Sequence, residues 1–179
     1  NSPYSASKAA SDHLVRSWNK TYKLKTIITN CSNNFGPNQH SEKLVPLVIK
    51  NSLSLKDIPI YGDGLNVRDW LYVDDHCDAI YAVIKSGLPG ESYNIGGNNQ
   101  LSNLNIIKKI CSILDKKRPR KDSKKYSDLI KFVSDRPGHD RRYAIDFSKI
   151  SNELMWKPAH TFDSGIEKTI SWYLENKNW

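Results

Sequence analysis

The sequence holds no complete glycine-rich phosphate turn, no apolar run of membrane-spanning length, and only three cysteines in 179 residues. Each shortage removes a class of protein. Gly62-Asp-Gly64 lacks a third glycine and Gly96-Gly97 is shorter still, so the chain has no dinucleotide fingerprint of its own. Its apolar stretches fall far below the roughly 20 residues that a bilayer span needs, and no signal-like segment is present. Cys31, Cys77 and Cys111 are odd in number and scattered, with no Cys-x-x-Cys pair or His spacing that would hold zinc. They read as reduced thiols of a cytoplasmic protein. The only methionine is Met155 and the first residue is Asn1. The chain therefore reads as a processed product, an excised piece, or the back part of a longer protein. Its length suits about one domain, or one and a piece of another, with a core that needs no covalent staple.

Positive charge is in excess, at net +8. Most of it is local. Lys116, Lys117, Arg118, Arg120, Lys121, Lys124 and Lys125 stand against the single Asp122, so this stretch carries six of the eight net charges. The remainder is nearly balanced, and only Tyr126 at the edge of the stretch could stack on a base. A nucleic-acid groove needs charge spread along a surface with aromatics between. The stretch reads as a solvated loop, and neither nucleic acid nor membrane is an expected partner.

What the chain does have is alternation of helix and strand. After Pro3, the positions Ala6, Ala10, Leu14, Trp18 and Tyr22 recur every fourth residue and predict one helical face, capped by Ser2 or Ser5. The β-branched run 25–31 predicts a buried parallel strand. Residues 32–40 hold Gly36-Pro37 and too many turn residues to continue it, and predict a polar loop. A helix is predicted over 42–53, with Pro46 harmless in its first turn. Strands are predicted at 58–61, 68–73 and 92–95. Asp74 or Asp75 is expected to cap a helix to about Lys85, and Asp146 another to about Leu154. Ile106, Ile107, Ile110 and Leu114 mark the inward stripe of a helix over 103–114, and Ile166, Ile170 and Leu174 that of a last helix over 163–175. The pattern argues an α/β fold.

Tyr4 and Lys8 sit four apart at the start of the first helix, so their side chains share a face. An ammonium beside a phenol favours the phenolate. Such a pair can take a proton from a sugar or alcohol hydroxyl. Small residues at Ser5, Ala6 and Ser7 leave room for a ligand. Spacing alone does not decide it, since Tyr81…Lys85 and Tyr173…Lys177 repeat it at places that read as structural. A half-buried Tyr beside a solvated Lys is the plain alternative. Asn33 and Asn34 follow the first strand, where open α/β sheets take ligands, but Asn also serves loops for their own sake.

At Pro3-Tyr-Ser-Ala-Ser-Lys8 the sequence resembles the extended short-chain dehydrogenase/reductase family. Thr29-Asn-Cys-Ser-Asn-Asn-Phe-Gly-Pro37, Glu42-Lys-Leu44, Arg68-Asp-Trp-Leu-Tyr-Val-Asp-Asp-His76, Tyr93-Asn-Ile-Gly-Gly97 and Asp135-Arg-Pro-Gly-His-Asp-Arg-Arg-Tyr143 resemble its nucleotide-sugar 4,6-dehydratases, and the resemblance runs from end to end. It implies the back part of a Rossmann-like parallel sheet plus a small C-terminal α/β substrate-binding domain. Residues 1–34 would end the NAD-binding domain, 69–97 would return to it, and 35–68 with 98–179 would bind the nucleotide sugar. The front half of such an enzyme would carry the glycine-rich turn and an Asp/Glu acid–base pair, so these residues alone are expected to be inactive.

The implied reaction is a dehydration with internal redox on dTDP-glucose, with NAD as cofactor. Tyr4 would be the base, and Lys8 would hold the nicotinamide ribose. Asn34 would touch the cofactor and Asn33 the substrate. Lys43 and Leu44 would line the sugar diphosphate. Pro59, Ile60 and Tyr61 would wall the thymine, Tyr61 offering a flat face. Arg68 and Arg136 would neutralise the diphosphate, which a guanidinium fork suits. Asn103 and the turn Asp135, Arg136, Pro137, Gly138, His139 would complete the pocket. Without the resemblance, Arg68 reads as an ion-pair partner of Asp69 or Asp74, and His139 as a structural histidine. The resemblance also implies a homodimer as the usual assembly. A UDP-sugar epimerase or decarboxylase of the same family, or a binding fragment without catalysis, are the alternatives.

Overall fold

The computed structural model describes residues 2–135 and 137–176. Arg136, one of the two implied diphosphate ligands, lies outside the described residues. Helix α1 (Pro3–Tyr22) begins where Pro3 fixes φ and the Ser2 hydroxyl accepts from the N–H of Ser5, and it stops at Lys23 in the left-handed region. Strands follow at β1 (Ile28–Cys31) and β2 (Asn33–Phe35), then α2 (Leu44–Leu53), β3 (Ile58–Tyr61), β4 (Val67–Tyr72) and α3 (Val73–Ser86). The rest runs β5 (Ser92–Ile95), β6 (Gln100–Ser102), α4 (Asn103–Lys117), β7 (Ile130–Val133), β8 (Arg142–Tyr143), α5 (Ser148–Leu154) and α6 (Phe162–Glu175).

Strand β4 organises the sheets. Its second half pairs parallel with β2, and its first half pairs antiparallel with β6 and parallel with β8. Separately, β1 pairs parallel with β5, and β3 with β7. Side chains alternate along β4, so Trp70 and Tyr72 enter one core and Leu71 the other. The first core lies among α2, α4 and α6, with Val45, Ile49, Ile106, Ile110, Ile166 and Ile170 fully buried. The second joins Tyr93 and Ile95 of β5 to Ala79 and Val83 of α3 and Ile150 of α5. Each such aliphatic side chain, once buried, contributes about 1.5–3 kcal/mol.

Several expectations need correction. The segment after β1 is not all loop: Asn33–Phe35 resumes as β2, because β4 offers it a parallel ladder that outweighs its poor strand propensity. The first strand is shorter and more open than predicted, with Ile28 buried, Thr29 exposed and pairing on β5. Neither Asp74 nor Asp75 caps α3; its N-cap is Tyr72, with no side-chain bond. Asp75 is instead buried, accepting from the His160 backbone N–H and from its Nδ1. Asp146 does accept from the Ser148 N–H, but Phe147 holds the N-cap position of α5. The predicted apolar face of α1 exists as a stripe yet covers nothing: the helix has no buried residue, and Leu14, Trp18 and Tyr22 are exposed. No described helix is long and apolar enough to cross a membrane.

Candidate active site

The site is built where β4, β8 and the turn after β3 meet. Val67 faces Arg142 and Arg68 faces Tyr143 in the β4–β8 ladder, while Val67 and Arg68 face Ser102 and Leu101 across β6. Asn103 follows directly, its N–H donating to the Asn66 carbonyl at 3.1 Å. Strand β3 brings Pro59, Ile60 and Tyr61 beside β7, and the N–H of Gly62 continues that pairing to the Val133 carbonyl. Tyr61 is exposed and Ile60 buried, so Tyr61 can present its ring to a ligand while Ile60 anchors the strand. The β7 strand leads straight into Asp135, Pro137, Gly138 and His139.

That turn is held by polar bonds on both flanks. Arg141 reaches both oxygens of Asp63 at 2.8 and 2.9 Å. The Asn66 amide donates to the Asp140 carbonyl at 3.1 Å, and the Val67 N–H donates to the Arg141 carbonyl at 2.9 Å. Within the turn, His139 Nδ1 lies 2.7 Å from Asp135 Oδ1, which fixes the ring. Gly138 takes φ +68°, and a Cβ there would meet nothing within 4 Å. Arg68 donates to the carbonyl of Val67 at 2.8 Å. Its neighbour Asp69 is buried and accepts from the backbone N–H groups of Gly97 and Asn99. The carboxylate thus serves the turn after β5.

Tyr4 and Lys8 lie on the exposed first turns of α1, Tyr4 with 73% of its surface open. Tyr143, which ends the motif 135–143, lies between β1 and β4. Its hydroxyl donates to the Cys31 carbonyl at the end of β1, at 3.5 Å. Burial first, then nearby Cys31, Tyr4 and Asp69, push its phenol above the ordinary range. Tyr143 therefore stays protonated at neutral pH, and its backbone pairs with Arg68. The only signal in the sequence was an aromatic at the end of an Arg-Arg pair.

Asn33 and Asn34 lie on β2, opposite Trp70 and Leu71. The Asn34 amide donates to Cys31 Sγ and the Ser32 carbonyl, both at 3.3 Å, and its Oδ1 is buried with no partner among the described residues. An open buried acceptor at the end of β1 has the chemistry to take a carboxamide N–H such as that of NAD. Lys43 and Leu44 open α2, which packs on β3; Lys43 is exposed. Of the two other Tyr…Lys pairs, Tyr173 is buried and donates to the Gln39 carbonyl, and Tyr81 is exposed on α3. Lys177 lies outside the described residues. A cavity of about 540 Å³, lined by Asn98, Phe147, Ser151, His160 and Thr161 among others, includes none of the expected site residues. Geometry at β4 and β8 therefore defines the site better than enclosure does. Among the described residues no His, Cys, Asp and Glu cluster could hold a metal ion.

A parallel-sheet α/β body that opens on a Tyr-x-x-x-Lys helix has a Rossmann-like fold of the short-chain dehydrogenase/reductase class. A family model described as GDP-mannose 4,6 dehydratase matches residues 1–169, and the chain belongs to that family. It is 60% identical over 178 residues to the dTDP-glucose 4,6-dehydratase of Shigella flexneri, covering 99% of this chain and 49% of the relative. The dTDP-glucose 4,6-dehydratase of Bacillus anthracis, solved in complex with NAD, superposes with TM-score 0.89 at 49% identity, covering 100% of this chain and 54% of that one. That of Streptomyces venezuelae, with NAD and TYD bound, gives TM-score 0.91 at 43% identity, covering 100% and 53%. The chain spans about half the length of the curated relatives it matches.

Proposed function

We propose that the chain is the active-site helix and nucleotide-sugar-binding portion of an NAD-dependent dTDP-glucose 4,6-dehydratase, a lyase that forms dTDP-4-keto-6-deoxyglucose. Strand register carries the reading: β8 sets the turn 135–143 directly against Arg68 of β4, so the implied diphosphate ligand and the implied pocket turn lie side by side.

Tyr4 takes the proton from the hydroxyl on carbon 4 of the glucose. Lys8, one turn along α1, binds the ribose of the cofactor, and Asn34 offers Oδ1 to its amide. NAD held there supplies hydride acceptance at carbon 4 and hydride return at carbon 6. Asn33 orients the sugar, and Arg68 with Arg136 balances the diphosphate. Tyr61, backed by Pro59 and Ile60, stacks on the thymine. Lys43, Leu44, Asn103 and the turn Asp135, Pro137, Gly138 and His139 close around the remainder. The acid–base pair that expels water across carbons 5 and 6 is not assigned to these residues. In this reading residues 1–34 and 69–97 belong to the NAD-binding body, and 35–68 with 98–179 to the sugar-nucleotide body. A cytoplasmic homodimer built partly on α1 fits the exposed Leu14, Trp18 and Tyr22.

Two measurements test it. Calorimetry of dTDP with the chain should show binding that weakens about tenfold in Arg68→Ala; equal heats in both would remove Arg68 from the site. In the whole protein, Tyr4→Phe should stop oxidation at carbon 4 while circular dichroism stays unchanged. Near-normal product formation would take the base role from Tyr4.

A further inference from the structure

The far end of α1 carries a second concentration of charge that the proposed reaction does not use. Arg16, Asn19 and Lys20 of α1, the turn Gly90, Glu91 and Ser92, and Lys149 of α5 line a cleft of about 350 Å³. We propose that this cleft binds a phosphate group, free or carried by a small organic molecule. Tyr4 and Arg16 are twelve residues apart, which on a helix is about 18 Å. Ser92 starts β5, whereas Tyr143 of the proposed active site meets the far end of the β1–β5 pair, at the Cys31 carbonyl. The two sites are therefore separate.

Three cations from two helices face one carboxylate in this cleft. Lys149 pairs with Glu91 and also lies 4.9 Å over the Tyr93 ring, which fixes its position. Arg16 donates through one Nη to the Ser92 hydroxyl at 3.1 Å, leaving the rest of its fork for a ligand. Lys20 has no ion-pair partner among the described residues. The Glu91 carboxyl is held below its ordinary range by its bond to Lys149 first, with Arg16 adding to it. Glu91 in the cleft and Glu153, which acts on Lys149 from beside the Tyr93 hydroxyl, leave one positive charge unbalanced, which matches a phosphate monoanion. A guanidinium fork, two ammonium groups and a hydroxyl are the donors that phosphate oxygens take. The volume exceeds what one phosphate fills and is at the small end of ligand pockets, so a sugar or similar group has room. The basic loop 116–125 has more charge, but Arg120 is already committed to Asp122 and to the Lys125 carbonyl.

The test is a titration of the isotope-labelled chain with inorganic phosphate and with glucose 1-phosphate, at ionic strength matched by chloride. Phosphate is expected to shift the backbone signals of Gly90, Glu91 and Ser92, and Arg16→Gln with Lys149→Gln together should weaken it about tenfold or more. A tighter response to glucose 1-phosphate would identify an ester as the ligand, and an equal one free phosphate; either supports the site. Identical shifts with chloride, shifts confined to 116–125, or full affinity in the double variant would overturn it. Should the double variant fail to fold, the map of shifts in the unaltered chain decides alone. Failure here leaves the reading of Tyr4 and Arg68 untouched, since the dTDP measurement reports on those.

Discussion

Arg141 grips both carboxylate oxygens of Asp63, at 2.8 and 2.9 Å, and so joins the turn after β3 to the loop that ends in Tyr143. The same Asp63 oxygen accepts from the Leu65 N–H at 2.9 Å. These contacts hold the Asp63 carboxyl below its ordinary value, the Arg141 hydrogen bond first and the Leu65 N–H next. A depressed folded-state pKa gives stability that is present above the unfolded value of about 3.9 and is lost as pH falls through the lower folded value. Both groups are open to water, so global stability should barely respond. The local effect is what should show: an acid titration followed at the Leu65 amide should move only below the ordinary Asp range. An inflection at the ordinary Asp value, or above it, would mean that the bidentate pair does not persist in solution.

The Asp69 carboxylate is a second tie, and a stronger one because it is buried. It accepts at 2.9 Å from the Gly97 N–H and at 2.7 Å from the Asn99 N–H. Asp69→Ala would strand both donors, and we expect a loss of about 3 kcal/mol from unsatisfied buried N–H groups. Asp69→Asn keeps one acceptor and should cost less. Chemical denaturation of both variants checks the order. Equal midpoints would show that water replaces the carboxylate.

These two ties explain what the sequence could and could not reveal. Helix α4 was legible because Ile106, Ile107, Ile110 and Leu114 repeat at helical spacing and do lie inward. The same rule marked α1 as a helix with one apolar face, and periodicity does not say what covers such a face: Leu14 and Trp18 stand exposed. Strand β2 was missed since Asn33-Asn34-Phe35 has no strand signature, and only its neighbour β4 makes it one. The candidate site residues rest on resemblance, and the pairing of Arg68 with Tyr143 across β4 and β8 left no local trace in the sequence. Asp75 looked like a cap from its position, whereas its partner His160 is distant in sequence and left no local trace.

The three thiols, all unpaired, should separate cleanly by reactivity. Burial, with Asp115 adding to it, pushes the Cys111 thiol up to about 12. Thiolate is the reacting species, so Cys111 should resist iodoacetamide at pH 8 until the protein unfolds. Cys77 is exposed on α3 and should be alkylated first, with Cys31, half-buried beside Asn34, slower. Peptide mapping after timed labelling gives the order. Early modification of Cys111 would show that the core around α4 opens readily.

Two glycines offer the sharpest separation of fold from function. At Gly97 a Cβ would lie 1.9 Å from the Trp70 carbonyl oxygen, and a backbone atom of β4 cannot yield without breaking the ladder. Gly97→Ala should therefore destabilise by several kcal/mol, about as much as the large overpacking changes seen in cores. At Gly138 a Cβ would touch nothing, and only its positive φ resists, at about 1–2 kcal/mol. If the open space over Gly138 belongs to a nucleotide sugar, Gly138→Ala should leave the melting midpoint within a few degrees while dTDP binding drops. Gly97→Ala should do the reverse where enough folded protein survives to measure, keeping the affinity of the folded fraction. Unchanged dTDP binding in Gly138→Ala would place the ligand elsewhere and detach the turn 135–139 from the site, whatever the outcome at Arg68.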